Sequence, residues 1–212
     1  MSYARPRIVV EALLAFAGVI VFVALASAYV RGGLVVSFDD DVSRWVVDSA
    51  PSWLQSAARV ITRLGGPVAT ALVGGGAIVV LLRASRRGDA LFVAASVIGV
   101  TVLVAVLKAV YERARPDTGS PIQLPHSYSF PSGHAATAVA LYGALGILLA
   151  ERARSRAGAA GWLVAAAALA LAVGASRVVL NVHFVSDVVA GFAVGLAWLA
   201  CCAIVRDVLA SR

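Results

Sequence analysis

Apolar and polar stretches alternate along this chain on the scale of a lipid bilayer. An apolar run over residues 8–30 follows Arg5 and Arg7. As a helix it is long enough to cross a hydrocarbon core of about 30 Å. Further apolar runs cover about 68–82, 90–111, 133–150, 162–179 and 187–205. Residues 31–65 read differently. Asp39, Asp40 and Asp41 open a mixed segment in which Trp53/Leu54, Ala57, Val60/Ile61 and Leu64 recur at helical spacing, with Arg59 and Arg63 between them. This pattern predicts an amphipathic helix on the outer surface. It either lies in the interface, anchored by Trp45 and Trp53, or packs over the spans as a cap. Gly65-Gly66-Pro67 ends it. The expected fold is all-α: one polytopic membrane domain over 1–212, with six transmembrane helices and an outer-surface amphipathic segment between spans 1 and 2.

Composition agrees, since 61% of the 212 residues are hydrophobic, above the roughly half expected of a soluble domain. The formal net charge is +7, and all but one of the 18 basic residues are Arg. These are scattered between apolar spans rather than gathered into a stripe, which argues against nucleic acid as a partner. Anionic headgroups of the bilayer and a phosphate-bearing substrate account for them better. Six spans place both termini on one face, together with Arg5, Arg7, Arg83, Arg86, Arg87, Arg152, Arg154, Arg156, Arg206 and Arg212. Short Arg-rich loops mark the cytoplasmic side, so both termini are expected in the cytoplasm. Ala26-Ser27-Ala28 resembles a signal-peptidase site, but the run exceeds an ordinary signal core and carries Glu11. An uncleaved first span is expected, and either reading puts the following segment outside. Cys201 and Cys202 are adjacent in an apolar run, without metal spacing, and read as small core residues. Oligomeric state is open.

Three polar clusters fall at the outer ends of spans. The first is Lys108-Ala-Val-Tyr-Glu-Arg-Ala-Arg115-Pro116, which holds the sole lysine. Seven residues are about two helical turns, so Lys108 and Arg115 share a side, and Pro116 turns the chain at Arg115. The alternative for either is snorkelling to the headgroups. The second is Pro131-Ser132-Gly133-His134. Ser132 is placed to cap the fourth span, and free N–H groups there make an anion site that Gly133 lets a phosphate approach. The alternative is an ordinary cap with an interfacial histidine. The third is Ser176-Arg177 followed by His183 and Asp187. An i,i+4 carboxylate fixes the histidine tautomer and leaves its other nitrogen free to attack, while Arg177 offers a fork for phosphate oxygens. The alternative is a set of polar residues satisfying one another.

Lys-x6-Arg-Pro, Pro-Ser-Gly-His and Ser-Arg-x5-His-x3-Asp, in this order over 108–187, resemble the signature of the type-2 phosphatidic acid phosphatase family. That family shares its core with vanadium haloperoxidases and bacterial acid phosphatases. Every signature position is matched. The resemblance implies a metal-independent hydrolase, without cofactor, working through a phosphohistidine. His183 would attack phosphorus, Asp187 would orient it, and His134 would protonate the leaving group and then activate water. Lys108, Arg115, Arg177, Ser132 and the Gly133 amide would hold the phosphoryl oxygens. Ser176 is assigned with them, with a backbone hydrogen bond as the alternative for its hydroxyl.

The expectation is a bacterial plasma-membrane (inner-membrane) lipid phosphate phosphatase acting at the outer leaflet, on the periplasmic or outside face. Its substrate would be phosphatidate, phosphatidylglycerol phosphate, or a polyprenyl diphosphate such as the undecaprenyl cell-wall carrier. His126, Tyr128 and Phe130 either touch headgroup or lipid or belong to a solvated loop. A haloperoxidase is disfavoured by six lipid-facing spans, and vanadate is expected to inhibit. A non-catalytic lipid-binding or transport protein is disfavoured by the intact His183, His134 and Asp187.

Overall fold

The computed structural model describes residues 4–116 and 127–210, with side chains from Arg7 onward. The helices in order are α1 (Ala4–Arg31), α2 (Leu34–Ser49), α3 (Ser52–Ile61), α4 (Pro67–Arg83), α5 (Arg87–Tyr111), α6 (Gly133–Ala150), α7 (Arg156–Val179) and α8 (Val185–Ala210), with a 3-10 turn, Thr62–Gly65, between α3 and α4. The fold is all-helical, as expected.

α6 is the centre, contacted by α5, α7 and α8, while α1 packs along α8. Its sequence explains the position. Ala135, Ala136, Ala140 and Ala144 have no exposed surface. Small side chains let backbones approach closely where lipid removes the hydrophobic drive for association. The closest approach is to α8. A Cβ on Gly191 would stand 2.5 Å from the Ser132 carbonyl oxygen, and one on Gly195 2.7 Å from that of Ala136. The outer faces of the bundle carry exposed Val, Leu, Ile and Phe, among them Leu13, Phe16, Ile98 and Val164, as a lipid-facing surface requires.

Five helices, α1, α5, α6, α7 and α8, are each long and apolar enough to cross a membrane. The expected second span is different. α4 has 17 residues, about 25 Å of helix, and reaches six spans only when joined to the preceding α3 and 3-10 turn across a 43° bend. Gly66 is extended and Pro67 sits at the first helical position, which stops one helix and starts the next. The single amphipathic helix expected over 31–65 is likewise two helices. Ala50, before Pro51, has ψ 119, the extended conformation a following proline favours.

Both helices cap the bundle rather than lie free of it. Asp39, Ser43 and Val46 of α2 and Ala58 of α3 are buried, whereas Trp45 and Trp53 face outward. Cys201 is exposed and Cys202 half-buried, so this pair does not fill the core as expected.

Ion pairs tie together the end of the bundle that holds the termini. Arg7 reaches Glu11 at 3.0 Å, Glu151 at 2.7 Å and Asp207 at 3.0 Å. Arg206 forks onto Glu151 at 2.9 and 2.7 Å and also reaches Asp89 at 2.8 Å. The α4–α5 and α6–α7 turns therefore gather with both termini. The opposite end holds α2, α3 and the segments 112–116, 127–132 and 180–184.

Candidate active site

The site is built where α7 stops. Asn181 adopts φ +50, a left-handed conformation that asparagine tolerates. Around it Val182 N–H bonds the Arg177 carbonyl at 3.1 Å and Asn181 N–H that of Val178 at 2.8 Å, the paired bonds of a Schellman cap. The Ser43 hydroxyl of α2 bonds Asn181 Oδ1 at 2.8 Å. This turn carries His183 back over the bundle, with only 2% of its side chain exposed. Nδ1 of His183 lies 3.3 Å from Asp187 Oδ2, which also accepts the Phe184 N–H at 3.0 Å. Nε2 faces Arg115 Nη1 at 3.3 Å. Burial, partly offset by the Asp187 carboxylate, pushes the imidazole down to about 4. At neutral pH it is therefore uncharged, with a ring nitrogen turned toward a guanidinium-lined space.

Cations reach this end of the bundle from three elements, and Arg115 is the one in contact with that nitrogen. Arg115 is gripped by backbone: Nη1 donates to the Val182 carbonyl at 2.6 Å and Nε to that of Ser127 at 2.8 Å. Burial lowers its proton affinity and Asp187 offsets this. Arg177, 3% exposed at the end of α7, donates Nη1 to Thr62 Oγ1 at 2.6 Å. Among the described residues its Nε is buried without a partner. Lys108 reaches the carbonyls of Tyr128 and Ser129 from the last turn of α5.

His134, in the first turn of α6, lies within electrostatic reach of Arg177, His183, Arg115 and Lys108. The 3-10 turn walls it in: a Cβ on Gly65 would stand 3.4 Å from His134 Cδ2 and collide with Val173.

Ser132 occupies the N-cap position of α6, yet its side chain makes no capping bond. Among the described residues its hydroxyl is buried and unpartnered, while its N–H bonds the Asp187 carbonyl at 2.9 Å. The first N–H groups of a helix lack intrahelical partners, and those of α6 begin at Gly133. Ser132 Oγ and Arg177 Nε, buried without partners among the described residues, and the free N–H groups at the start of α6 are the kinds of donor that an anion takes up. Ser176 stands apart from this group, with its hydroxyl donated to the Val173 carbonyl at 2.6 Å within its own helix. Among the described residues no group of three or more His, Cys, Asp or Glu is arranged to hold a metal ion.

Phe130 corrects an expectation. It is fully buried, stacked between Phe22 and Tyr29 and edge-on to Tyr111, and so cannot touch a headgroup. Tyr128 is exposed and donates its hydroxyl to Glu112 at 2.9 Å. His126 lies outside the described residues.

Sequence reasoning missed Arg113 and Asp39, whereas Ser186 serves the start of α8, as its position beside that span suggested, with its N–H and hydroxyl on Asp39. Arg113 is 4% exposed and bonds Asp187 Oδ1 at 2.7 Å, Ser186 Oγ at 2.6 Å and Asp39 Oδ2 at 2.8 Å. No signal in the sequence joins Arg113 to Asp39, which is 74 positions away.

Comparison with known proteins identifies the family. Residues 89–209 match the model of the PAP2 superfamily. Phosphatidylglycerophosphatase B of Bacillus subtilis (strain 168) is 32% identical over 182 residues, covering 82% of this chain and 86% of the relative. The crystal structure of the first transmembrane PAP2 type phosphatidylglycerolphosphate phosphatase from Bacillus subtilis superposes with a TM-score of 0.79 at 29% identity, over 89% of this chain and 94% of that one. LpxE of Aquifex aeolicus shares the fold, with a TM-score of 0.60 at 21% identity over 78% of this chain and 92% of that one. With the three motifs gathered at one end of a membrane bundle, this chain belongs to the PAP2 superfamily and is a membrane-embedded phosphoric ester hydrolase.

Proposed function

We propose that this protein removes a terminal phosphate from a membrane lipid at the outer leaflet, through a phosphohistidine on His183 and without a metal ion. The observation that carries the reading is the placement of His183, whose Nε2 faces Arg115 while its Nδ1 lies against Asp187. In the first step Nε2 attacks phosphorus, the bond to the lipid oxygen breaks, and His134 delivers a proton to that oxygen. In the second, His134 takes a proton from water, the oxygen attacks phosphorus, and the P–N bond breaks to release inorganic phosphate.

Phosphoryl transfer is catalysed mainly by positioning and by positive charge at the equatorial oxygens. Arg115, Arg177, Lys108, Ser132 and the N-terminus of α6 supply such groups. Ser176 acts on this plan through the helix end that carries Arg177. The Arg-rich end of the bundle is the cytoplasmic one by the positive-inside rule, so the site faces the periplasm or outside of a bacterial plasma membrane.

The relative's name makes phosphatidylglycerophosphate the first substrate to try. The test is phosphate release by the detergent-purified protein in EDTA, across phosphatidylglycerophosphate, phosphatidate and undecaprenyl diphosphate, beside His183→Ala. Turnover in EDTA, lost in His183→Ala and inhibited by vanadate, is expected. Activity lost in EDTA and restored by Mg²⁺ would refute the metal-free mechanism. Preference for undecaprenyl diphosphate would move the substrate assignment to the cell-wall carrier.

A further inference from the structure

Asp187 does not stand alone behind His183. Its Oδ2 holds the His183 ring and the Phe184 N–H, and its Oδ1 accepts Arg113 Nη1 at 2.7 Å. The other arm of the Arg113 guanidinium, Nη2, bonds Asp39 Oδ2 at 2.8 Å. Asp39 comes from α2, outside the span-end motifs, and is 1% exposed. It also accepts the Ser186 N–H at 3.0 Å and the Ser186 hydroxyl, which fixes the start of α8. The Arg113 guanidinium also lies over the Tyr29 ring at 4.7 Å and the Phe184 ring at 4.2 Å, two aromatic contacts that add to the hold of the carboxylates.

We propose that Asp39 and Arg113 are positioning residues for the nucleophile, forming with Asp187 a buried carboxylate–guanidinium–carboxylate unit that orients His183 and leaves one net negative charge behind it. This rests on the phosphohistidine reading.

The charge balance gives the unit a purpose that a buried ion pair does not need. A single Arg–Asp pair is neutral, and burying it is costly with little net stability. Adding Asp39 leaves one uncompensated negative charge. That charge is matched when His183 becomes an N-phosphorylated imidazolium whose Nδ1–H points at Asp187. The unit therefore favours the positive charge that develops on the imidazole in the transition state over the uncharged ring of the resting state, which is the condition for accelerating the step. Among the described residues, the remaining charged and titratable groups around His183 are Arg115 on the 112–116 segment, Arg177 on α7, Lys108 on α5 and His134 on α6. Among these Arg115, Arg177 and Lys108 are cations, and Asp187 and Asp39 are the carboxylates that face them from behind His183. Thr62 on the 3-10 turn and Tyr29 on α1 add no charge.

The test uses Asp39→Asn, Arg113→Met and the double variant of the full chain in detergent. The readouts are kcat, KM, the acid limb of the kcat–pH profile and inhibition by inorganic phosphate. Each single variant is expected to lose about 10–100-fold in kcat, the range seen when outer partners of a functional histidine are removed. KM and phosphate inhibition should hardly change, because neither side chain faces the anion site.

The acid limb separates positioning from distortion. Asp39→Asn removes a negative charge and should move the limb to lower pH. Arg113→Met leaves two carboxylates and should move it to higher pH, and the double variant, with the original net charge, should return it to the wild-type position. Wild-type kcat and an unmoved limb in both single variants, while His183→Ala is inactive, would overturn this inference alone. Wild-type turnover by His183→Ala would overturn it together with the phosphohistidine reading. Equal limb shifts in one direction, or weakened phosphate inhibition in Asp39→Asn, would mark a merely structural role and also overturn it.

Discussion

The contact between α8 and the start of α6 sets the relation between Asp187, which holds His183, and the helix end proposed to hold the phosphate. Gly191→Ala perturbs it with one methyl group. The added Cβ would stand 2.5 Å from the Ser132 carbonyl oxygen, where ordinary contact begins near 3.4 Å. The obstacle is backbone, so α8 must back away by about 0.9 Å. The same contact carries the Ser132 N–H to Asp187 carbonyl bond of 2.9 Å, which a shift of that size stretches past hydrogen-bond range.

Overpacking of this kind costs about 1–3 kcal/mol of stability, which a folded membrane bundle survives. A displacement near 1 Å at reacting groups costs on the order of 100-fold in rate. The expectation is therefore a Gly191→Ala protein that purifies as a folded species, with a modestly lower melting temperature and kcat down about 100-fold. Gly195→Ala is the control. It collides with the Ala136 carbonyl at 2.7 Å, one helical turn further from the site, and should lose stability similarly but much less kcat. Phosphate release and thermal melting in one detergent measure both. Wild-type kcat in Gly191→Ala, or equal kcat losses in the two variants, would refute the claim that this contact sets the site's geometry.

Three further outcomes are expected. His134→Ala should lose about 10²–10⁴-fold in kcat, the range of general acid–base catalysis, with its melting temperature little changed; less than tenfold would remove it from the proton-transfer role. His183 is held down to about 4 in the native protein, against about 6.5 unfolded. The unfolded chain thus binds a proton that the native one refuses, and the stabilisation present above pH 6.5 is lost as pH falls toward 4. Melting between pH 7 and 4.5 should fall more steeply for wild type than for His183→Gln, and parallel slopes would contradict this. Arg206→Ala removes the fork onto Glu151 and the link to Asp89, far from the anion site; it should lower the melting temperature and leave kcat intact, and a large kcat loss would show that the far end of the bundle is coupled to the site.

The spans and the polar clusters at their ends were legible because their signals are local. Span length is set by bilayer thickness; Lys108, Arg115, His134, Arg177, His183 and Asp187 stand out because ionisable groups are costly in and beside apolar runs, and Ser132 because it occupies the cap position before a span. The Pro51 break between α2 and α3 was also legible in principle, since proline constrains its predecessor, but the helical spacing from Trp53 to Leu64 suggested a single element. Asp39 and Arg113 were not legible. Asp39 sits among three successive aspartates, and only the fold over the bundle end turns it inward while Asp40 and Asp41 face outward. Phe130 misled for the same reason: an aromatic in a polar loop gives no sign of the pocket formed by Phe22, Tyr29 and Tyr111 on two other segments. Side chains that find their partners across the chain leave no periodicity behind.

The central claim is a covalent phosphate on His183. The direct measurement is a rapid quench of the detergent-purified protein with lipid substrate labelled in the terminal phosphate, followed by mapping of the label. The account predicts an acid-labile, base-stable phosphate on the peptide containing His183, absent in His183→Ala. Turnover without such a species, or label that persists on another residue in His183→Ala, would contradict it.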